Sequence, residues 1–449
     1  MIAISFRWRR VRVLAAVAAV VGLWATTVPA SADAVSTRTP MGLIGPGGLR
    51  VEPSWLLERR LAAPGTASTA TAASSPARTP LASELKARAD ALVAAGAAAT
   101  VGRTPDRHGI AHVAAGVEER TSGRRAESDD AFEIGSITKT FMATLTLQLV
   151  AERRVRLDDT VERWLPGVVP AGDHITLRML LNHTSGLYNY TNDPALFEAV
   201  SNDPARVFSP QQLVAIATAH APVFAPGAGW EYSNTNYVVI GMILRAVTGL
   251  APRDLLRLRI TGPLHLARTY LADQAPVGDR PHYLHGYLLA YGPDGVAADI
   301  DVAGVSLSWG STAGAMISTT GDLDRFFNAL LGGRLLPSAQ VKEMETTVPV
   351  PNTDARVGYG LGLLRLDTDC GTVWGHDGVT LGHLSAALFT VDGRRGMVSD
   401  VSTRPATWGA EPAPGTPDER FLAADTALQR TLICSVFGKP APQQAPAPQ

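Results

Sequence analysis

Apolar residues recur at helical spacing in one stretch more strongly than anywhere else in the chain. Between residues 132 and 150, Ile137, Phe141, Met142, Leu145 and Leu149 fall on one side of a 3.6-residue period, which predicts a long buried helix. The same spacing predicts helices over 83–95, 176–182, 210–219, 235–248, 253–260, 320–331 and 417–432. Short strand-like runs stand near 97–103 and 110–117, and again near 358–366, 371–375, 383–391 and 396–401. Strands at both ends of the chain with helices between them predict one sheet built from distant segments. The coarse reading is therefore α+β, with one sheet and a helical region inserted in it. No repeat at solenoid periods is present.

The N-terminus follows a different pattern. Arg7, Arg9, Arg10 and Arg12 precede an apolar run from Val13 to Ala25, and Ala30-Ser31-Ala32 follows. Charged, apolar and small segments in that order predict a signal peptide over 1–32, and the run is too short to span a membrane. The expectation is a secreted, extracellular protein with no stable membrane span after cleavage. Arg9-Arg10 permits a twin-arginine route as well as the general one. Residues 33–82 are rich in Ala, Ser, Thr, Pro and Gly and read as a linker. The folded domain is expected over 83–437, and 438–449 reads as a disordered Pro/Ala/Gln tail.

Composition narrows the function. Of 449 residues 46% are apolar, enough for a sizeable core, and the formal net charge of −1 gives no footprint for nucleic acid. The ten histidines show no metal-ligand spacing such as H-E-x-x-H. Cys370 and Cys434 are the two cysteines, and in an exported chain an even count predicts a disulfide.

Three short constellations carry chemistry. Ser136 and Lys139 stand three apart at the start of the apolar helix, so their side chains share one side of it. Burial would push the lysine toward the neutral amine, the form able to take a proton from a serine hydroxyl. Ser83 and Lys86 repeat the spacing after a loose linker, where Ser83 reads as a helix cap. Tyr232 and Asn234 precede the next strongly apolar helix. They could present a phenol and an amide to a cleft, although Tyr190 and Asn192 share their spacing. His376 and Gly378 follow a strand-like run, where glycine permits close approach of a substrate and the Val379 N–H could join that of Ser136 as an oxyanion hole.

In this order, Ser136-x-x-Lys139, Tyr232-x-Asn234 and His376-x-Gly378 resemble the serine β-lactamase and penicillin-binding protein superfamily. The tyrosine and histidine look like its class C branch, and residues 132–150, 180–192, 225–249, 308–327 and 359–362 are similar to secreted actinomycete D-alanyl-D-alanine carboxypeptidases. The resemblance implies an α+β fold, an antiparallel sheet flanked by helices with an all-helical subdomain. It also implies an acyl-enzyme on Ser136, proton transfer by Lys139 and Tyr232, and a substrate amide held by Asn234. It places Trp309, His376, Gly378, Val379 and Phe208 along the substrate pocket and requires no cofactor or metal. Its partners would be a peptidoglycan peptide or another small acyl substrate, with β-lactams as inhibitors or substrates.

One part of the pattern departs from the carboxypeptidases. They carry threonines in and after the third motif and an arginine on the preceding strand, which grip the free carboxylate of a D-Ala-D-Ala end. Here the third motif has Asp377 and Val379, and Leu364 stands at the arginine's place with Arg365 one residue out of phase. A carboxylate at Asp377 would repel that substrate end and suit a substrate amine. The leading expectation is a D-alanyl-D-alanine carboxypeptidase acylated by penicillins. Its alternatives are an esterase, amidase or D-aminopeptidase on the same scaffold, and a non-catalytic β-lactam or cell-wall binding module. A class A β-lactamase is disfavoured because Arg178 stands where an E-x-x-L-N motif needs glutamate.

Overall fold

Eight strand segments separated widely in sequence meet in one sheet. In chain order the strands are β1 (Ala99–Asp106), β2 (Gly109–Gly116), β3 (Phe132–Glu133), β4 (Tyr270–Leu271), β5 (Tyr287–Tyr291), β6 (Ala297–Asp301) and β7 (Met316–Ser318). They continue with β8 (Val348–Pro349), β9 (Val357–Tyr359), β10 (Leu364–Thr368), β11 (Gly371–Val379), β12 (Leu384–Phe389), β13 (Gly396–Val401) and β14 (Thr403–Pro405). The large sheet runs β2-β1-β13-β12-β11-β10-β9-β8 with antiparallel neighbours throughout, so the N-terminal hairpin closes onto the C-terminal strands. Two three-stranded sheets, β14-β5-β6 and β3-β7-β4, lie beside it. This is a computed structural model and describes residues 81–441 apart from 279, 292–296, 352, 354–355, 408–412 and 414. The expected signal peptide, nearly all of the linker and most of the tail lie outside the described residues.

The helices that frame the sheet are α1 (Leu81–Ala94), α2 (Thr138–Ala151), α3 (Asn234–Thr248), α4 (Thr320–Leu331) and α5 (Pro417–Val436). Alternation along β1 shows how the layers form. Thr104 donates its hydroxyl to the Leu432 carbonyl of α5 at 3.0 Å, and the preceding Arg103 pairs with Asp324 of α4 at 3.1 Å. Successive residues of a strand point to opposite faces, so α4 and α5 cover opposite sides of the sheet. α5 starts where expected, with the Thr416 side chain accepting the Glu419 N–H and proline in the first turn. Short helices Leu177–Leu181, Pro194–Asn202 and Pro210–Thr218, together with α3, are all inserted between β3 and β4.

Three predicted elements change. Residues 132–150 do not form one helix: Phe132 and Glu133 are strand, Gly135–Ile137 is a single 3-10 turn, and α2 follows. α2 is buried on nearly all sides rather than along one stripe, with Phe141 stacked on Phe326 of α4. The run 358–366 is two strands, β9 and β10, because the chain turns at 360–363 to carry the Gly362 carbonyl to the Thr140 hydroxyl. β11 extends past its predicted end to Val379, which puts His376, Asp377 and Gly378 inside a strand.

Cys370 and Cys434 are bridged, with Cα atoms 5.1 Å apart, tying the β10–β11 turn to the end of α5. Among the described residues no helix is long and apolar enough to cross a membrane.

Candidate active site

The 3-10 turn between β3 and α2 lifts Ser136 out of the sheet and sets it above the first turn of a buried helix. The turn needs Gly135 in the left-handed region, at φ 48°. A Cβ there would come within 2.7 Å of the Val379 nitrogen, and one on Gly378 within 2.0 Å of the Ile134 carbonyl oxygen. Two glycines thus let the end of β11 press against the residues just before Ser136, bringing the Val379 amide to the turn that holds Ser136.

Lys139 is fully buried, and its Nζ lies 2.8 Å from each of three oxygens: Ser136 Oγ, Asn234 Oδ1 and the Ala313 carbonyl. Burial holds its pKa well below the ordinary lysine value, with the Asp377 carboxylate opposing that shift. A neutral amine has two N–H bonds and one lone pair. The Ala313 carbonyl can only accept, so the remaining question is which end of Asn234 faces the amine.

The surrounding hydrogen bonds answer it. The Asn234 backbone N–H and the Thr191 hydroxyl reach the same oxygen, Asn189 Oδ1, at 3.0 Å each. Thr191, having given its proton to Asn189, can only accept from Asn234 Nδ2, 3.0 Å away. Asn234 therefore turns its oxygen to Lys139, both N–H bonds of the amine are taken, and the lone pair is left for the Ser136 hydroxyl. Tyr232 completes the triangle: its hydroxyl donates to Ser136 Oγ at 2.7 Å, and its ring lies 4.7 Å below Lys139 Nζ. Burial pushes the Tyr232 pKa well above that of a free phenol, so the phenol keeps its proton.

The remaining sequence-predicted residues are placed as follows. Asn234 heads α3 and is turned to Lys139 and Thr191, where the sequence reading gave its amide to substrate. His376 is fully buried, with Nε2 2.9 Å from the Tyr359 hydroxyl and Nδ1 2.6 Å from the Asp377 carbonyl, so it braces the strand. Trp309 is buried against Phe197, its carbonyl accepting the Tyr190 hydroxyl at 2.6 Å. Phe208 lies close by in the fold, its N–H bonded to Ser308, with its ring under the Arg206 guanidinium. Neither aromatic is hydrogen-bonded to Ser136, Lys139 or Tyr232 among the described contacts.

Asp377 is the charged group of the site. It is 8% exposed, Oδ1 is buried with no hydrogen-bond partner, and its charge acts on both Lys139 and Tyr232. Leu364 is buried, while Arg365 is ion-paired with Asp367 two residues along its strand.

Sequence reasoning missed several residues that hold this geometry. Asn189 and Thr191 orient Asn234; they flank Tyr190, whose spacing to Asn192 had suggested only a chance match. His183 accepts the Ser233 N–H at 3.1 Å and packs its ring 4.3 Å from that of Tyr232. Burial keeps this imidazole neutral by holding its pKa well below the ordinary value.

A family model described as Beta-lactamase matches residues 56–411. Penicillin-binding protein 4* of Bacillus subtilis (strain 168) is 28% identical over 300 residues, which cover 64% of this chain and 64% of that protein. The crystal structure of a D-stereospecific amidohydrolase from Streptomyces sp. superposes with a TM-score of 0.66 at 38% identity, covering 76% of this chain and 97% of that one. A D-amino acid amidase from Ochrobactrum anthropi SV3, complexed with L-phenylalanine amide, gives a TM-score of 0.65 at 27% identity over 78% of this chain and 98% of its own.

Proposed function

The chain belongs to the beta-lactamase family and is a serine hydrolase of that family; we propose that it cleaves amide bonds at D-configured residues that carry a free α-amine, as an amidase or D-aminopeptidase. The observation that supports this reading is Asp377. A nearly buried carboxylate with an oxygen that accepts no hydrogen bond is a poor neighbour for a substrate carboxylate and a good one for an ammonium. The D-stereospecific amidohydrolase and D-amino acid amidase, aligned over nearly their whole length, support the same substrate class.

In this mechanism Ser136 Oγ attacks the amide carbon while its proton passes to the Lys139 lone pair. The Ser136 and Val379 N–H groups receive the oxyanion of the tetrahedral intermediate. Tyr232 protonates the leaving nitrogen and is reprotonated from Lys139, leaving an ester on Ser136. Water then attacks that ester, giving its proton back through the same pair, and the free acid departs with Ser136 restored.

A second reading, the D-alanyl-D-alanine carboxypeptidase, draws on the order of the three motifs and on the penicillin-binding protein relative. Both readings predict a penicilloyl ester on Ser136. Export is part of the proposal, supported by the buried Cys370 to Cys434 bridge, which suits an oxidising compartment.

The test offers the protein a D-amino acid amide, its N-acetyl derivative, a D-Ala-D-Ala peptide and an aryl ester, with Ser136→Ala as control. Ammonia release from the free-amine amide, abolished in the control, supports the amidase. D-alanine release with no amide turnover moves the assignment to the carboxypeptidase, and turnover of the ester alone rejects both.

A further inference from the structure

We propose that Glu127, Asp130 and His282 form a divalent-cation site of the zinc type, separate from the acylation centre, which fastens the strand leading into Ser136. Among the described residues these three each bring one ligand atom within 4.8 Å of the others. Asp130 is fully buried and already fixed. Its Oδ2 accepts the Glu127 N–H at 2.7 Å, and its own N–H donates to the Glu127 carbonyl at 3.1 Å, closing a turn over 127–130. That leaves Oδ1 buried with no hydrogen-bond partner, facing Nδ1 of His282 at 3.4 Å.

Both sides of the site are anchored to the same backbone. The His282 carbonyl accepts the Ala131 N–H at 2.8 Å, and the Leu284 N–H returns to the Ala131 carbonyl at 2.8 Å. Ala131 is followed directly by β3 and then by Gly135 and Ser136.

The donor set selects the ion class. One imidazole nitrogen with two carboxylates matches zinc, whereas calcium takes six or more oxygens that this trio does not supply. Zinc bonds of about 2.0–2.2 Å require the three ligand atoms to converge by about 1 Å. Glu127 and His282 are exposed and can rotate inward while Asp130 stays in place.

The experiment uses the full chain, stripped with EDTA and titrated with ZnCl2 by calorimetry and by thermal unfolding, with CoCl2 as an optical probe. One equivalent should bind. At zinc about 100-fold above its dissociation constant, the unfolding equilibrium should fall about 100-fold. His282→Ala should abolish binding and Glu127→Gln should weaken it at least tenfold, while His220→Ala, at an exposed His–Asp pair without a third ligand, should leave it unchanged. No saturable binding would show that His282 and Asp130 are a plain ion pair. Binding untouched by His282→Ala and Glu127→Gln, or equally lost in His220→Ala, would also overturn the site.

Discussion

Replacing Asp377 by asparagine separates the amine-binding reading from a purely structural one, because it removes a charge and almost no volume. The carboxylate is 8% exposed, so a substrate ammonium meeting it does so with little screening by solvent. A hydrogen bond to a charged partner is worth about 1.5–3 kcal/mol, which corresponds to roughly a 10- to 150-fold loss of kcat/KM. That loss should fall on a free-amine D-amino acid amide and spare its N-acetyl derivative, which has no ammonium to place. A second effect runs through Lys139. Asp377 is the group that favours its protonated form, so the variant should lower the lysine pKa further and move the acid limb of kcat/KM to lower pH for both substrates. Initial rates of ammonia release against pH resolve the two effects. Equal losses on both substrates at every pH, or no loss on either, would refute the assignment of Asp377 to the substrate amine.

Other perturbations test the rest of the site. For the wild type, kcat/KM should be retained above the depressed Lys139 pKa and lost as pH falls through it, since only the neutral amine accepts the serine proton; a pH–rate profile with no acid limb above the ordinary carboxylate range would contradict this. Tyr232→Phe should lower kcat by about 10²–10⁴ with a smaller change in KM, read from steady-state rates and a mass-spectrometric assay for trapped acyl-enzyme. Gly135→Ala combines a left-handed backbone with a clash at Val379, and should cost about 10²-fold in kcat through the displaced oxyanion donor. Cys370→Ser opens a bridge across a separation of 64 residues and should destabilise the fold by about 2–4 kcal/mol in denaturant melts, with little effect on kcat of the protein that remains folded.

How much of this was legible in the sequence depended on whether the information was local. Ser136 and Lys139 could be paired because three residues on a helix fix their relation, and the burial of α2 makes the lysine special. The sheet could be anticipated from strand-like runs at both ends, but its order could not, since pairing β1 with β13 joins residues about 300 apart. His376 was ambiguous because nothing local says whether an imidazole points to substrate or, as here, to Tyr359. Asn189 and Thr191 were invisible for a related reason: their role is to orient Asn234, and that relation exists only once the inserted helices have packed. The glycines of the third motif suggested the end of a strand, yet β11 continues to Val379 because the gap left by their missing side chains is filled by the turn of Ser136.

The direction of the hydrogen bonds also decides which group acts first. The Tyr232 hydroxyl donates to Ser136 Oγ, and a neutral Lys139 whose two N–H bonds go to Asn234 and Ala313 turns its lone pair to the serine, so in the proposed mechanism the lysine and not the phenol is the initial base. In that mechanism, attack by Ser136 would convert the amine into an ammonium 4.7 Å from the Tyr232 ring, and a new positive charge that close favours the phenolate. The phenol is therefore least acidic before attack, when its proton must stay, and most acidic after it, when the leaving nitrogen needs one. Asn234 and Ala313 hold the amine through both states, because each offers an oxygen that serves the neutral and the charged form alike. In the proposed mechanism one buried charge, appearing on Lys139 and then discharged, is enough to order the two proton transfers.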